Sequence, residues 1–326
     1  SGRVQCTPMT GEFDLIQRIR ARAGTRDDVV LGIGDDAALL APPPGMQLAV
    51  ATDTLNSGVH FPPETAARDI GWKALAVNLS DLAAMGATPA WCSLSLSMPQ
   101  ADDAWLDDFI DGFMALAAMH DVALIGGDTT RGPLSICVNV MGLIEPGRAL
   151  RRDGAQVGDD IWVSGTLGDA AAALSLWQSD KPMPAELRER LNRPTPRVAL
   201  GCALAGIATA CIDVSDGLLA DIGHVVAASG VGAEVDLDVL PASPRLRALA
   251  ADDAEALRRW QATGGDDYEL CFTASPAQTQ RVIEAGIASG TAVTRVGCIK
   301  AAPGVRALQG DDEWQPVSTG HEHFSI

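Results

Sequence analysis

Four times along this chain a short apolar run ends on an aspartate, and no other feature narrows the possible folds as far. Val29-Val30-Leu31-Gly32-Ile33-Gly34 leads to Asp35-Asp36, and Leu48-Ala49-Val50-Ala51-Thr52 leads to Asp53. Val122-Ala123-Leu124-Ile125-Gly126-Gly127 leads to Asp128, and Ala208-Thr209-Ala210-Cys211-Ile212 leads to Asp213, with Ser215-Asp216-Gly217 following. A fifth acidic pair, Asp266-Asp267, follows the glycine pair Gly264-Gly265. Short continuous apolar runs predict buried strands, and ligands of α/β sheets gather outside the carboxyl ends of strands. Carboxylates crowded there repel one another unless cations sit between them.

A second stretch presents one more carboxylate. In Ala76-Val77-Asn78-Leu79-Ser80-Asp81-Leu82-Ala83-Ala84-Met85-Gly86-Ala87 the helical period puts Trp72, Leu75, Leu79 and Leu82 on one apolar stripe, with Asn78 and Asp81 together on a neighbouring face. Ala76, Ala83, Ala84 and Gly86 are small enough to let another backbone pass close by. Alone, Asp81 reads as a solvated or capping residue on an ordinary core helix; the other aspartates favour a site.

At 326 residues the chain is long enough for two domains. It carries 24 basic and 42 acidic residues, a formal net charge of −18, and its only lysines are Lys73, Lys181 and Lys300. That balance argues against nucleic acid as a partner, because no cationic cluster could neutralise a phosphate backbone. Any phosphate handled here needs metal ions and a few arginines. The seven cysteines are scattered, form no C-x-x-C, and read as small buried hydrophobes of a reducing compartment. No segment reads as membrane-spanning; Val198 to Ile212 comes nearest and reads as a buried helix and strand. No signal peptide is apparent, Met9 reads as a natural start after a leader of Ser1 to Pro8, and the expected location is cytoplasmic.

In chain order the pattern predicts helices over 12–23, 64–85, 102–120, 169–177, 200–208 and 217–229. Strands are expected over 29–34, 48–52, 90–98, 122–126, 134–144, 160–165, 211–214 and 268–273, and a polar, proline-marked passage over 182–196. The turn-rich segment from Glu145-Pro146-Gly147 to Asp153-Gly154 divides a domain over 1–148 from one over 149–326. Elements alternate in both halves, so each half is an α/β or α+β layer, with an old duplication open. The spelling Gly32-x-Gly34-x-x-Ala37 touches the dinucleotide fingerprint, but the chain runs into Pro42-Pro43-Pro44, and Asp35 and Asp36 would face the pyrophosphate, so that reading is rejected.

The donor set selects the chemistry. Many aspartates with few histidines or thiolates suit Mg2+, a hard cation that keeps part of its shell for phosphate and water. No P-loop spelling and no protein-kinase H-R-D signature occurs. Phosphoryl transfer needs positioning and charge neutralisation more than covalent help, so metal-held aspartates suffice. Ser215 at a helix N-terminus reads equally as an anion site or as a cap.

Six motifs in this order carry a resemblance: Gly32-Ile33-Gly34-Asp35-Asp36-Ala37, Ala51-Thr52-Asp53-Thr54-Leu55, His60-Phe61 with Val77-Asn78-Leu79-Ser80-Asp81-Leu82-Ala83-Ala84-Met85-Gly86-Ala87, Ile125-Gly126-Gly127-Asp128-Thr129-Thr130, Ile212-Asp213-Val214-Ser215-Asp216-Gly217, and Gly264-Gly265-Asp266-Asp267-Tyr268-Glu269-Leu270. Together they closely resemble the thiamine-monophosphate kinase family, within the wider aminoimidazole ribonucleotide synthetase-like superfamily, from about Gly11 to Phe324. The resemblance implies a two-domain α/β (α+β) aminoimidazole ribonucleotide synthetase-like fold, dimerising through its N-terminal sheet. It also implies ATP-dependent phosphorylation of thiamine monophosphate to thiamine diphosphate by direct in-line transfer. By the same resemblance Asp36, Thr52, Asp53, Asp81, Asp128, Asp213 and Asp216 would hold several Mg2+ ions between the two phosphate chains, with Asp53, Asp81, Asp128 and Asp213 catalytic. Gly127, Asp128, Arg152 and Ser215 would contact ATP, and His60, Asp266 and His321 would line the thiamine pocket. Read without the resemblance, Arg152 is a surface arginine.

Three departures qualify the transfer. Asp266 stands where the family usually has glutamate, His321 stands where an aromatic residue often precedes the acidic one, and Ala51 stands where a hydroxyl is common. Two other readings compete: a superfamily enzyme acting on a different small phosphorylated acceptor, and a non-catalytic acidic metal-binding protein. The second predicts metal-dependent stabilisation without ATP turnover.

Overall fold

The computed structural model describes residues 12–315, which fall into two compact units that interleave along the sequence. Described residues up to Pro44, with Val50–Asn78 and Pro89–Met141, form the first; Gly45–Ala49, Leu79–Thr88 and the chain from Gly142 onward form the second. Cys6, His321, His323 and Phe324 lie outside the described residues.

Through the first unit run α1 (Glu12–Arg22), β1 (Val29–Leu31), β2 (Leu39–Leu40), β3 (Gln47–Asn56), α2 (Ala67–Ala84), β4 (Thr88–Met98), α3 (Asp103–Met119), β5 (Ala123–Arg131) and β6 (Ser135–Ile144). β1 and β2 pair by themselves, and the other four strands form one sheet in the order β3-β6-β4-β5. β6 alternates strictly, with Ile136, Val138 and Val140 buried and Cys137, Asn139 and Met141 half-buried between them, as expected of a sheet with one covered face. β4 and β5 run parallel, with Leu94 opposite Gly127 and Ser95 opposite Asp128. The core residues of α2 number far more than one stripe: Lys73 through Ser80 are all buried. A helix buried all round needs small residues where others cross it, and Gly71 and Gly112 serve α2 and α3 so. A Cβ on Gly71 would lie 2.0 Å from the Phe109 carbonyl oxygen, and one on Gly112 would lie 1.9 Å from that of Arg68. α1 is tied to α3 by Arg18 to Asp103 and Asp107 and by Arg22 to Asp107 and Asp111, at 2.8–3.1 Å.

The second unit continues with β7 (Asp160–Ser164), α4 (Asp169–Gln178), α5 (Ala185–Asn192), α6 (Val198–Leu204), β8 (Ala210–Asp213), α7 (Leu218–Ser229), β9 (Gly232–Asp236), α8 (Pro244–Leu249), α9 (Ala254–Thr263), β10 (Leu270–Ala274), α10 (Thr279–Ala288), β11 (Val293–Lys300), β12 (Gly304–Gln309) and β13 (Asp312–Trp314). Its seven-stranded sheet has the order β13-β12-β9-β11-β7-β10-β8. Ile161, Val163, Ile212, Val235, Cys271 and Val296 meet Leu218, Ile222 and Val225 of α7 in its main core. The last turn of α2 belongs here, and α6 passes close against it: a Cβ on Gly201 would lie 2.0 Å from the Ala83 carbonyl oxygen. Small residues at Ala83 and Gly86 thus do admit a neighbouring backbone.

Several expectations need correction. The passage over 182–196 contains a helix, α5, whose Leu187 and Leu191 are buried four residues apart. The helix expected over 200–208 stops at Leu204, where successive turns close back onto Cys202 and Leu204. Asp53 and Asp128 sit inside β3 and β5 rather than beyond their ends, because both strands continue in polar residues. The second sheet takes the α+β form of the two left open: β10 pairs antiparallel with both β7 and β8, and β11 with both β7 and β9, while β9 and β12 run parallel.

Candidate functional site

Each unit positions its own set of the predicted residues. In the first, Asn78 is buried on α2; its carbonyl oxygen accepts the Asp53 backbone N–H at 2.9 Å while its amide donates to the Ala74 carbonyl at 2.9 Å. The amide is thus fixed in direction, and it fixes β3 at Asp53. Alternation along β3 sends Thr52 to the opposite face, where its hydroxyl accepts the Asn139 amide at 2.6 Å. That amide also reaches the Ala51 carbonyl at 3.3 Å.

Gly127 precedes Asp128 because no side chain fits there. Its φ is +154°, and a Cβ would lie 1.8 Å from the Leu94 carbonyl oxygen on β4. Asp128 itself is exposed. Asp36 is exposed too, in the turn after Gly34, and its N–H donates to the Asp35 carboxylate at 2.9 Å. His60 is half-buried: its Nδ1 accepts the Asn56 N–H at 3.0 Å, which leaves Nε2 as the donor, and its carbonyl takes the ammonium of buried Lys73 at 3.0 Å.

In the second unit, antiparallel pairing sets one strand's end beside its neighbour's start. Leu270 lies opposite Asp213, and the ladder continues beyond both strands: Val214 N–H to Glu269 O at 2.7 Å, Tyr268 N–H to Val214 O at 2.8 Å, and Asp266 N–H to Ser215 O at 2.9 Å. The lead-in to β10 is thereby laid along the exit from β8, so Asp213, Ser215, Asp216 and Asp266 come together. Gly265 is required at this approach, since a Cβ would lie 2.4 Å from Ser215 O. Asp213 is 5% exposed and accepts the Ser80 hydroxyl at 2.7 Å. Asp81, one residue on in α2, is half-buried. Arg152 is exposed, and its carbonyl is held by the Ser229 hydroxyl at 2.9 Å.

The Gly-Gly-Asp-Asp-Tyr-Glu loop divides its acids between two tasks. Asp267 is 1% exposed, and both its oxygens take the Gly168 N–H at 3.0 Å. Burial raises its carboxyl well above the usual range, with Arg190 and the Gly168 N–H pulling the other way. Glu269 is fully buried and accepts Arg197 Nε at 2.6 Å, Arg197 Nη2 at 2.5 Å, Arg190 Nη2 at 3.0 Å and the Ser164 hydroxyl at 2.6 Å. Asp266, between these anchors, has φ +66°, Tyr268 has φ +51°, and the Tyr268 hydroxyl donates to Asp266 at 3.0 Å. Left-handed backbone at non-glycine residues costs on the order of 1–3 kcal/mol each and persists where the surroundings over-determine it. Two in three residues mark a loop held in shape by Asp267 and Glu269.

The loop after β8 is shaped from below by a residue the sequence reading passed over. Asp221, in the first turn of α7 and 2% exposed, accepts the N–H groups of Ser215, Asp216 and Gly217 on one oxygen at 3.0, 3.1 and 3.0 Å. Both earlier readings of Ser215 give way: its hydroxyl does not cap α7, whose N-cap Gly217 makes no side-chain bond, and the loop's N–H groups are already taken. Burial, reinforced by Asp213 and Asp216, pushes the Asp221 carboxyl up to about 7. Ligand atoms of Asp216, Asp221 and His224 lie within 4.8 Å of one another.

Sequence reasoning also missed Ser80, Arg190 and Arg197. A signal was present for Arg190, in the Leu187/Leu191 helical spacing; Arg197 had none. Oxygen donors dominate these sets; Cys92, Cys211 and Cys271 are buried, and burial raises all three thiols. The acceptor chemistry open to such sites is charge neutralisation by hard cations rather than covalent catalysis.

Comparison with known proteins identifies the family. Residues 34–144 match the AIR synthase related protein N-terminal domain, and residues 156–308 the corresponding C-terminal domain. The thiamine-monophosphate kinase of Salmonella typhimurium is 47% identical over 325 residues, covering 97% of this chain and 98% of its own. The crystal structure of thiamine-monophosphate kinase from Stenotrophomonas maltophilia is 58% identical, with a TM-score of 0.85 over 91% of this chain and 96% of that one. AaThiL complexed with AMPPCP and TMP is 30% identical, with a TM-score of 0.77 over 99% of this chain and all of that one. Near full-length identity and a shared fold place this chain in the thiamine-monophosphate kinase family.

Proposed function

We infer that this chain transfers the γ-phosphate of ATP to thiamine monophosphate, giving thiamine diphosphate and ADP. The observation that carries this reading is full-length likeness to thiamine-monophosphate kinases, one of them, AaThiL, solved with AMPPCP and TMP. The site residues agree with it. The acceptor is a phosphate oxygen ionised at neutral pH, so no strong general base is needed, and the transfer is direct and in-line.

The metal ligands are Asp36, Thr52, Asp53 and Asp128 from the first unit and Asp81, Asp213 and Asp216 from the second, for Mg2+. Their fit rests on the donor type, since hard carboxylate oxygens predominate. The Thr52 hydroxyl accepts the Asn139 amide and keeps a second lone pair for the ion. Bound Mg2+ supplies the positive charge that a chain with net charge −18 and three lysines lacks. Asp53, Asp81, Asp128 and Asp213 are the catalytic set. ATP is met by Gly127, Asp128, Arg152 and the side chain of Ser215, and thiamine monophosphate by His60 through Nε2, by Asp266 and by His321.

Residues 1–148 form the ATP, metal and dimerisation domain and residues 149–326 complete the active site; the two family matches, on either side of residue 150, support this division. The enzyme is a homodimer joined through the N-terminal sheet. In support, Leu48 and Val50 on its terminal strand β3 are 48% and 60% exposed. It works in the cytoplasm, without nucleic acid or membrane; a net charge of −18 speaks against a nucleic-acid partner.

The test is product formation from ATP and thiamine monophosphate with and without Mg2+, resolved by chromatography. Thiamine diphosphate and ADP in equal amounts, only with Mg2+, is the expected result. ATP binding with no phosphorylation of this acceptor would overturn the substrate assignment.

A further inference from the structure

Three consecutive N–H groups pointing into one concavity make a nest, the backbone device that commonly receives a phosphate or another anion. Ser215, Asp216 and Gly217 build one at the exit of β8, beside the start of α7. Here the anion is internal. Oδ2 of Asp221 fills the concavity at 3.0–3.1 Å from all three nitrogens.

We propose that Asp221 is a positioning residue for phosphoryl transfer: by occupying the nest it fixes the Ser215–Gly217 loop so that the Ser215 and Asp216 side chains, not the backbone N–H groups, meet nucleotide and cation. The inference rests on the function proposed above. With its N–H groups turned inward to Asp221, the loop has one orientation in which to present its side chains. The Ser215 carbonyl is held as well, by the Asp266 N–H at 2.9 Å. Gly217, with φ +126°, is packed so closely that a Cβ would lie 2.8 Å from the Thr263 backbone. The loop is therefore clamped on both sides.

One oxygen here serves three donors, so the loop's shape hangs on one atom of one side chain that is 2% exposed. Asparagine keeps the size of that side chain but puts an NH2 in place of one oxygen, and an NH2 turned toward the three N–H groups cannot accept from them.

The test is Asp221→Asn in the full-length enzyme, with kcat, KM for each substrate, the Mg2+ concentration for half-maximal activity, and thermal unfolding. Catalytic efficiency toward ATP should fall about tenfold or more, with half-maximal activation moved to higher Mg2+. KM for thiamine monophosphate should change less than KM for ATP, since its residues meet this loop only through the Asp266 N–H to the Ser215 carbonyl. Unchanged kcat, ATP KM and Mg2+ dependence would overturn the proposal. So would a uniform loss that disappears at a temperature where the variant is fully folded. Amide hydrogen exchange of the wild-type protein without nucleotide gives a second readout, valid even if the variant does not fold. Slow exchange at Ser215, Asp216 and Gly217 is expected, and rapid exchange would refute the internal occupancy. If the wild-type enzyme makes no thiamine diphosphate, the functional reading fails, while exchange still decides whether Asp221 holds the loop.

Discussion

Glu269→Ala offers the sharpest test of how the substrate loop is held. The side chain is fully buried, and its two oxygens receive four hydrogen bonds, three of them from Arg190 and Arg197. Burial opposes the charge of Arg190, yet Glu269, Asp267 and Asp169 outweigh it and raise its pKa. Breaking a buried pair by removing one partner costs about 3–5 kcal/mol, because the remaining charge is left uncompensated. Arg190 and Arg197 keep 21% and 18% side-chain exposure, so water relieves part of that, and the lower end, about 3 kcal/mol, is appropriate. At about 2–4 °C per kcal/mol for a unit of this size, the unfolding midpoint should fall by roughly 6–12 °C. Differential scanning calorimetry would measure it. At a temperature where the variant is folded, KM for thiamine monophosphate should rise, because Asp266 and Tyr268 lose the anchor that keeps them left-handed. Glu269→Gln keeps the shape but turns an NH2 toward a guanidinium, and should lie close to the alanine variant. A midpoint within about 2 °C of wild type for both would refute the reasoning.

Gly127→Ala should destabilise the first unit by about 3 kcal/mol or more, combining overpacking against the Leu94 backbone with left-handed strain; chemical denaturation with an unchanged midpoint would contradict that close approach. Asp53→Asn and Asp128→Asn should each abolish transfer while leaving circular dichroism and thermal unfolding nearly unchanged, and near-normal turnover in either would remove that residue from the metal set. Asp266→Glu, which restores the length common in the family, should preserve or improve activity, measured as kcat/KM for thiamine monophosphate; a large loss would show a pocket that has diverged. Asp28 accepts Arg26 through two bonds and Trp91 Nε1 at 3.0 Å, and the Arg26 hydrogen bond chiefly lowers its pKa from 3.8. A lowered folded pKa contributes stability that is full above the unfolded value and is lost as pH falls through the folded one. Asp28→Asn should therefore cost stability at pH 7 and flatten the acid limb below about pH 4, which urea titrations across pH would show.

How far the sequence could be read depended on whether a feature was local. The α2 helix, the strands ending near Asp213 and the glycines before Asp128 and Asp266 were legible because each is written in neighbouring residues. Asp221 was not, since its three partners lie four to six residues back and become donors only once the loop turns. Arg197 was further out of reach: it meets Glu269 across 72 residues through pairing that no periodicity encodes. The direction of the second sheet's strands was left open for the same reason, because buried apolar runs look alike in parallel and antiparallel strands. Within the second unit Asp213, Asp216 and Asp266 come near one another, since a strand's end and its antiparallel neighbour's start share one edge of the sheet.

The measurement that bears most directly on the account follows the fate of the γ-phosphate. ATP labelled there, incubated with the enzyme, Mg2+ and thiamine monophosphate, should place the label in thiamine diphosphate in step with ADP formation, and no labelled protein should accumulate. Label released as inorganic phosphate while thiamine monophosphate remains unchanged would contradict it.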